Sequence, residues 1–215
     1  MSEVKISLFP IPGSVSLPFD KISLHVFEPR YRKMILDSIE SKRRVGIAHT
    51  QKMIGESKVK PNRSKEEILN SNHESYLAQK VFSAGFAEII ETLPDGRMLV
   101  EITTDNRYEI SEVKQAIPYQ IVICRTFQDK PEPPVQQLRA ELEQILQNIG
   151  AETSEDLKKY LQSKTWLQLS DFEYSFKIYS LVPFDPNSMQ KVLELKSIAA
   201  RISFLIDILT RGTLQ

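Results

Sequence analysis

The 215-residue sequence holds one cysteine, one tryptophan and seven glycines, and its charges cancel. Each shortage closes off a kind of chemistry. A lone cysteine, Cys124, forms no internal disulfide and has no spaced partner for a zinc site. It sits in the apolar run Ile121-Val122-Ile123-Cys124 and reads as a small buried hydrophobe, with no local base to activate it. The glycines fall at 13, 46, 55, 85, 96, 150 and 212, so no phosphate-cradling G-x-x-x-x-G-K loop and no dinucleotide fingerprint can be built. The histidines, His25, His49 and His73, lie far apart, and none belongs to an H-E-x-x-H pattern. No serine stands in a G-x-S-x-G elbow. No catalytic residue, metal ligand or cofactor site is therefore expected. His25 reads as a half-buried strand residue on the side opposite the aliphatic one.

Charge of one sign is also lacking: Lys plus Arg and Asp plus Glu each number 28. Phosphate-driven nucleic-acid binding requires an excess of cations. The basic run Lys42-Arg43-Arg44 reads as a solvated helix end, where cations suit the helix dipole. Long apolar runs are missing too. Pro10, Pro12 and Pro18 interrupt the N-terminal stretch, which is neither a signal-peptide core nor a membrane span. The expectation is a cytoplasmic protein without a membrane partner.

What is present is a hydrophobic fraction of 41%, ample for a packed core. The front half reads as short strands at 6–11, 15–19, 22–27 and 45–48. One helix interrupts them: Pro29 suits a first helical position, and Tyr31, Met34, Ile35, Ser38 and Ile39 share one face. Residues 51–75 are polar and read as an exposed loop, with a helical turn at 66–70. Pro94-Asp95-Gly96 is a hairpin turn between arms at 81–93 and 97–103. Strands follow at 107–113 and 119–127. The proline-rich stretch 129–134 is a stiff connector, and the boundary is placed there, giving domains of 1–129 and 130–215. Beyond it the pattern is helical. Leu138, Leu142, Ile145, Leu146 and Ile149 form a stripe ended by Gly150. Thr153-Ser154-Glu155-Asp156 resembles an N-terminal cap. Ser170 with Glu173 makes a capping box. One last helix runs from Asp185-Pro186 to Gly212, with Val192, Leu195, Ala199, Ile202, Ile206 and Leu209 on one face.

Particular residues carry more than pattern. Leu8-Phe9-Pro10-Ile11-Pro12, then Leu17-Pro18, then Leu24-His25-Val26-Phe27-Glu28-Pro29-Arg30-Tyr31 resembles the opening of the Lon protease N-terminal domain family, with its L-F-P-L run and L-x-I-F-E-P-R-Y strand end. Val45-Gly46-Ile47, Gly85-Phe86-Ala87-Glu88-Ile89, Leu93-Pro94-Asp95-Gly96-Arg97 and Arg107-Tyr108-Glu109-Ile110 are similar to later family segments. Leu193-Glu194 and Arg201 are similar to its closing helix. Where the family often has glycine before the R-F pair, this chain has Thr104. The resemblance implies an α+β fold: a PUA-like β pseudo-barrel with one early helix, followed by a C-terminal helical bundle. It implies a stand-alone, non-catalytic module that recognises unfolded or extended polypeptides. A protease or chaperone, or a second copy of the chain, is the expected further partner. RNA or nucleotide binding is the alternative that PUA-like folds bring. The implied peptide-contact residues are Phe27, Arg30, Tyr31 and Tyr108.

Overall fold

The computed structural model describes residues 3–53, 76–153 and 155–212. Among them are eight strands: β1 (Val4–Pro10), β2 (Lys21–Val26), β3 (Arg44–Ala48), β4 (Thr50–Met53), β5 (Tyr76–Ala78), β6 (Val81–Thr92), β7 (Met98–Gln115) and β8 (Gln120–Thr126). Seven α-helices accompany them: α1 (Pro29–Glu40), α2 (Gln136–Thr153), α3 (Glu155–Leu161), α4 (Lys164–Leu167), α5 (Asp171–Lys177), α6 (Pro186–Glu194) and α7 (Ile198–Gly212). The chain is thus mixed α+β. Its contacts divide it into two units. One holds the described residues up to Phe127 together with Asp185–Leu193; the other holds Gln128–Phe184 and the described residues from Glu194 onward.

The first unit is organised by β7. Its hairpin with β6 follows local turn chemistry: Gly96 takes φ +81°, its N–H donates to the Leu93 carbonyl at 2.8 Å, and the Asp95 carboxylate accepts the Arg97 N–H. The strand then runs on through 104–106, where the sequence pattern suggests a break. It can do so because its edges serve three partners. β6 pairs along one edge, while β2 (at 98–103) and β8 (at 108–115) pair in turn along the other. β8 pairs with β1, β1 with β3 in parallel, and β3 with β6. The ladder β7–β6–β3–β1–β8–β7 therefore closes on itself, and β2 is left outside as an edge strand. Bulges fall at Ala84/Gly85 and Ile89/Glu91, where a closing sheet must bend.

Alternation along these strands builds the core. Val26, Val45, Ile47, Met98, Val100 and Ile102 turn inward, and α1 covers them with Met34 and Ile35, both fully buried. A neighbouring cluster holds Ile6, Leu8, Phe82, Tyr108, Val122 and Cys124. Burial pushes the Cys124 thiol up to about 12, as its apolar neighbours suggest. α1 starts with Pro29 at its first turn, after an extended Glu28. It stops where Lys42 takes φ +50°, the Lys42 N–H reaching the Ile39 carbonyl and the Arg43 N–H the Ser38 carbonyl. These two bonds are a Schellman closure with lysine in the left-handed position that glycine normally fills.

The structure departs from the sequence expectations at several places. Residues 15–19 form no strand. Pro18 removes a donor, Phe19 takes φ +71°, and the Asp20 carboxylate accepts the Leu17 N–H at 2.7 Å, which makes a turn. Buried Thr104 fastens that turn to β7, donating to the Leu17 carbonyl at 2.7 Å and accepting the Asp20 N–H at 3.0 Å. Residues 51–53, expected within a loop, belong to β4, which pairs with β5. The helical turn expected at 66–70, and Ser154 of the expected cap, lie outside the described residues.

The second unit is helical. Its capping box forms as expected, the Glu173 N–H donating to Ser170 Oγ and the Glu173 carboxylate accepting the Ser170 N–H. α2 buries Leu142 and Leu146, and Trp166 of α4 packs edge-on to Tyr174 at 5.3 Å. The helix expected over 185–212 is two helices, because the backbone between them has distant partners. The Lys196 carbonyl accepts the Lys130 N–H, and the Leu195 carbonyl accepts Arg201. The Ile198 N–H donates to Glu132, and Ser197 caps the new start by accepting the Ala200 N–H at 3.0 Å. Arg201 is fully buried, held by both Asp129 oxygens and by Ser175.

Candidate functional site

The first unit contains a cleft of about 340 Å³, walled by residues 9–12 on one side and 24–28 on the other, with Arg30 and Tyr31 of α1 completing it. Its chemistry is mainly apolar. The Tyr31 ring stacks on Phe9 at 4.1 Å, and the two pack with Ile11 and Leu24 against the inner core without being swallowed by it. Phe27, just past the end of β2, is 61% exposed. Among the described residues β2 has no neighbour on its outer side, and the chain turns into α1 two residues later. The polar element is a local pair: Arg30 Nε donates to Glu28 at 2.9 Å while its guanidinium lies 4.6 Å from the Tyr31 ring centre. The Tyr31 ring is thus held both by Phe9 and by the Arg30 guanidinium.

Three of the four contact residues suggested by the sequence, Phe27, Arg30 and Tyr31, therefore line one cleft. Tyr108 does not join them. It is 4% exposed, packed in the cluster around Phe82 and Val122, with its hydroxyl donating to Asp105 at 3.3 Å. Burial, then the Asp105 charge, pushes its phenol up to about 12. Sequence reasoning did not place Phe9, Ile11, Pro12 and Leu24 in the site. The visible signal was the Pro10 and Pro12 pair, since backbone without N–H groups cannot continue inside a sheet.

Other sequence candidates are absorbed into the fold. His25, expected half-buried, is exposed, because the outer face of β2 is uncovered; its ring meets Phe27 edge-on at 6.4 Å. Lys42 closes α1, while Arg44 turns to Asp105 at 2.7 Å and lies over Phe86 at 4.6 Å. Arg107 is fully buried and donates to the Leu193 carbonyl at 2.7 Å, near the end of α6. Among the described residues, no group of three or more His, Cys, Asp or Glu could hold a metal ion, and no helix is long and apolar enough to cross a membrane.

The described residues thus form a mixed α+β chain with an apolar cleft beside a closed sheet. The chain belongs to the family described as the ATP-dependent protease La (LON) substrate-binding domain, whose model matches residues 5–211. That description is of the substrate-binding part of Lon, not of its ATPase or protease parts. Solved structures share the fold. The N-terminal domain of the Mycobacterium avium complex Lon protease matches with a TM-score of 0.67 at 10% identity, over 96% of this chain and 98% of that one. A Lon N-terminal domain protein from Xanthomonas campestris matches with a TM-score of 0.58 at 16% identity, again over 96% and 98%. No curated protein matches the sequence.

Proposed function

We propose that this chain is a non-catalytic polypeptide-recognition module whose cleft takes apolar side chains of unfolded or extended chains. On this reading the first unit is a PUA-like pseudo-barrel and the second a helical bundle. The module works as an adaptor, presenting its cargo to a protease or chaperone partner. The observation that carries the reading is the cleft itself: a solvent-open apolar pocket built from the L-F-P and F-E-P-R-Y segments, with Phe27 exposed at its rim. Burying such surface against a ligand is the favourable step in most association. Phe27, Arg30 and Tyr31 are the proposed contacts; Tyr108 supports the fold behind them.

The RNA-binding alternative is weakened by the balance of charges and by Arg44 of the basic run, whose guanidinium is paired with Asp105. The test is binding of the purified chain to an array of unfolded peptides at low and moderate salt. Apolar peptides are expected to bind at both salt levels, and Phe27→Asp, an exposed position, to weaken binding about tenfold or more. Binding that collapses as salt rises would move the reading to a phosphate backbone. No peptide binding at any salt would sink it.

A further inference from the structure

The walls of the cleft are formed by consecutive residues, 9–12 and 24–27. Side chains of a strand alternate between faces, so the successive β2 residues Leu24, His25 and Val26 border the cavity with the strand's edge toward it. Among the described residues the outer edge of β2 is unpaired. Its register with β7 is Lys21↔Thr103 to Val26↔Met98, and the Thr104 N–H donates to the Asp20 carbonyl. Bonded pairs alternate in an antiparallel ladder, so Ile22, Leu24 and Val26 exchange bonds with β7. Lys21, Ser23 and His25 then turn their N–H and C=O groups away from it. The Thr103 carbonyl agrees, since it is directed at Gly85 of β6, on the far edge of β7. No described residue takes the outward groups of Ser23 or His25.

The opposite wall is different. Pro10 and Pro12 have no N–H, and the Ile11 N–H is already given to the Ala48 carbonyl at 2.9 Å. Only the β2 wall offers alternating donors and acceptors, beside an apolar floor made by Phe9, Ile11, Leu24 and Tyr31. The complement to that arrangement is an extended main chain with apolar side chains at every second position.

We infer that the occupant of the cleft is an extended polypeptide segment that adds to the free edge of β2 as a further strand, recognised through its backbone by Ser23 and His25. This deepens, and rests on, the polypeptide-recognition reading. Backbone recognition accounts for tolerance of sequence: every polypeptide carries the same bonding groups, and only the alternate apolar side chains are selected.

The experiment uses the full chain and a short fluorescent peptide of alternating valine and threonine, with a twin carrying N-methyl groups on its backbone amides. The plain peptide is expected to bind and the methylated twin to bind at least about tenfold more weakly, since each blocked bond strands a buried partner. Amide hydrogen exchange is expected to slow at Ser23 and His25 on binding, with Ile22 and Leu24 slow throughout. His25→Ala keeps the N–H and is expected to bind; His25→Pro, tolerable on an edge strand, removes it and is expected to lose binding with the thermal melt retained. Equal binding of the methylated twin, or exchange unchanged at both amides while peptide is bound, would overturn strand addition and leave polypeptide recognition through side chains standing. Absence of binding by the plain peptide and by the whole unfolded-peptide array would remove both.

Discussion

Tyr119 and Asp37 show how single residues tie α1 to the sheet. The Tyr119 hydroxyl donates to Asp37 at 2.6 Å, and Lys33 reaches the same carboxylate at 3.0 Å. Burial, then the bond to Asp37, pushes the Tyr119 phenol from 10.0 up to about 12. Burial also pushes the Asp37 carboxyl up, but the bonds from Tyr119 and Lys33 outweigh it and hold it below its ordinary 3.8. The signs follow from linkage. Between 10 and 12 the folded chain keeps a phenolic proton that the unfolded chain has lost, so stability falls as pH rises through that window. Tyr108, also raised to about 12, acts in the same direction. The Asp37 contribution is present above 3.8 and is lost as pH falls below it. Denaturant unfolding across pH is expected to show a shallower alkaline decline in Tyr119→Phe than in the parent. The variant is expected to lose about 1 kcal/mol at neutral pH, and its acid decline is expected to be shallower, because the Asp37 carboxyl without the Tyr119 bond is no longer held as far below 3.8. Parallel profiles for the two proteins would mean that the pair does not couple.

Two elements, the β6–β7 hairpin and the start of α7, differ in how far the sequence reveals them. The hairpin, α1 and the capping box at Ser170 were legible because their determinants lie within a few residues: Asp95-Gly96, Pro29 with an i, i+3, i+4 stripe, and Ser170 with Glu173. The F-E-P-R-Y segment marked one wall of the cleft. The other wall was not legible as a wall, since only the closed ladder brings residues 9–12 opposite β2. Tyr108 misled for the same reason: strand pairing with β6 and β8 turns it inward. The break at 195–197 is likewise imposed from afar, by Lys130 and Glu132, against an uninterrupted apolar stripe. It follows that the break is held by particular bonds. Ser197→Ala removes the cap of α7 and the bond to Glu132 at 2.7 Å. It is expected to cost about 1–2 kcal/mol in chemical denaturation. Unchanged stability would show that local propensity, not these partners, sets the break.

At the scale of the whole molecule, the chain crosses between its units three times, and the short helix α6 belongs with the sheet rather than with the helices around it in sequence. Its buried residues show why. Val192 and Leu193 are 1% exposed, Gln190 donates to the Val81 carbonyl at 2.9 Å, and the Leu193 carbonyl accepts the fully buried Arg107. Two buried aliphatic side chains contribute about 2 kcal/mol each. Removing the acceptor from a buried guanidinium costs more still, on the order of 3 kcal/mol, because the charge stays behind. Together these approach the whole stability of an ordinary domain, about 5–15 kcal/mol. A chain cut at the proline-rich connector, residues 1–129, is therefore expected to lose its cooperative thermal transition, although every strand is retained. Adding residues 185–194 in trans as a peptide is expected to restore the transition in proportion to peptide concentration, as any ligand of the folded state does. The same peptide carrying Leu193→Asp is expected to fail. If 1–129 instead melts cooperatively at the temperature of the full chain, and the peptide leaves that melt unmoved, then α6 rests on the sheet without holding it, and Arg107 must be satisfied from within the strands alone.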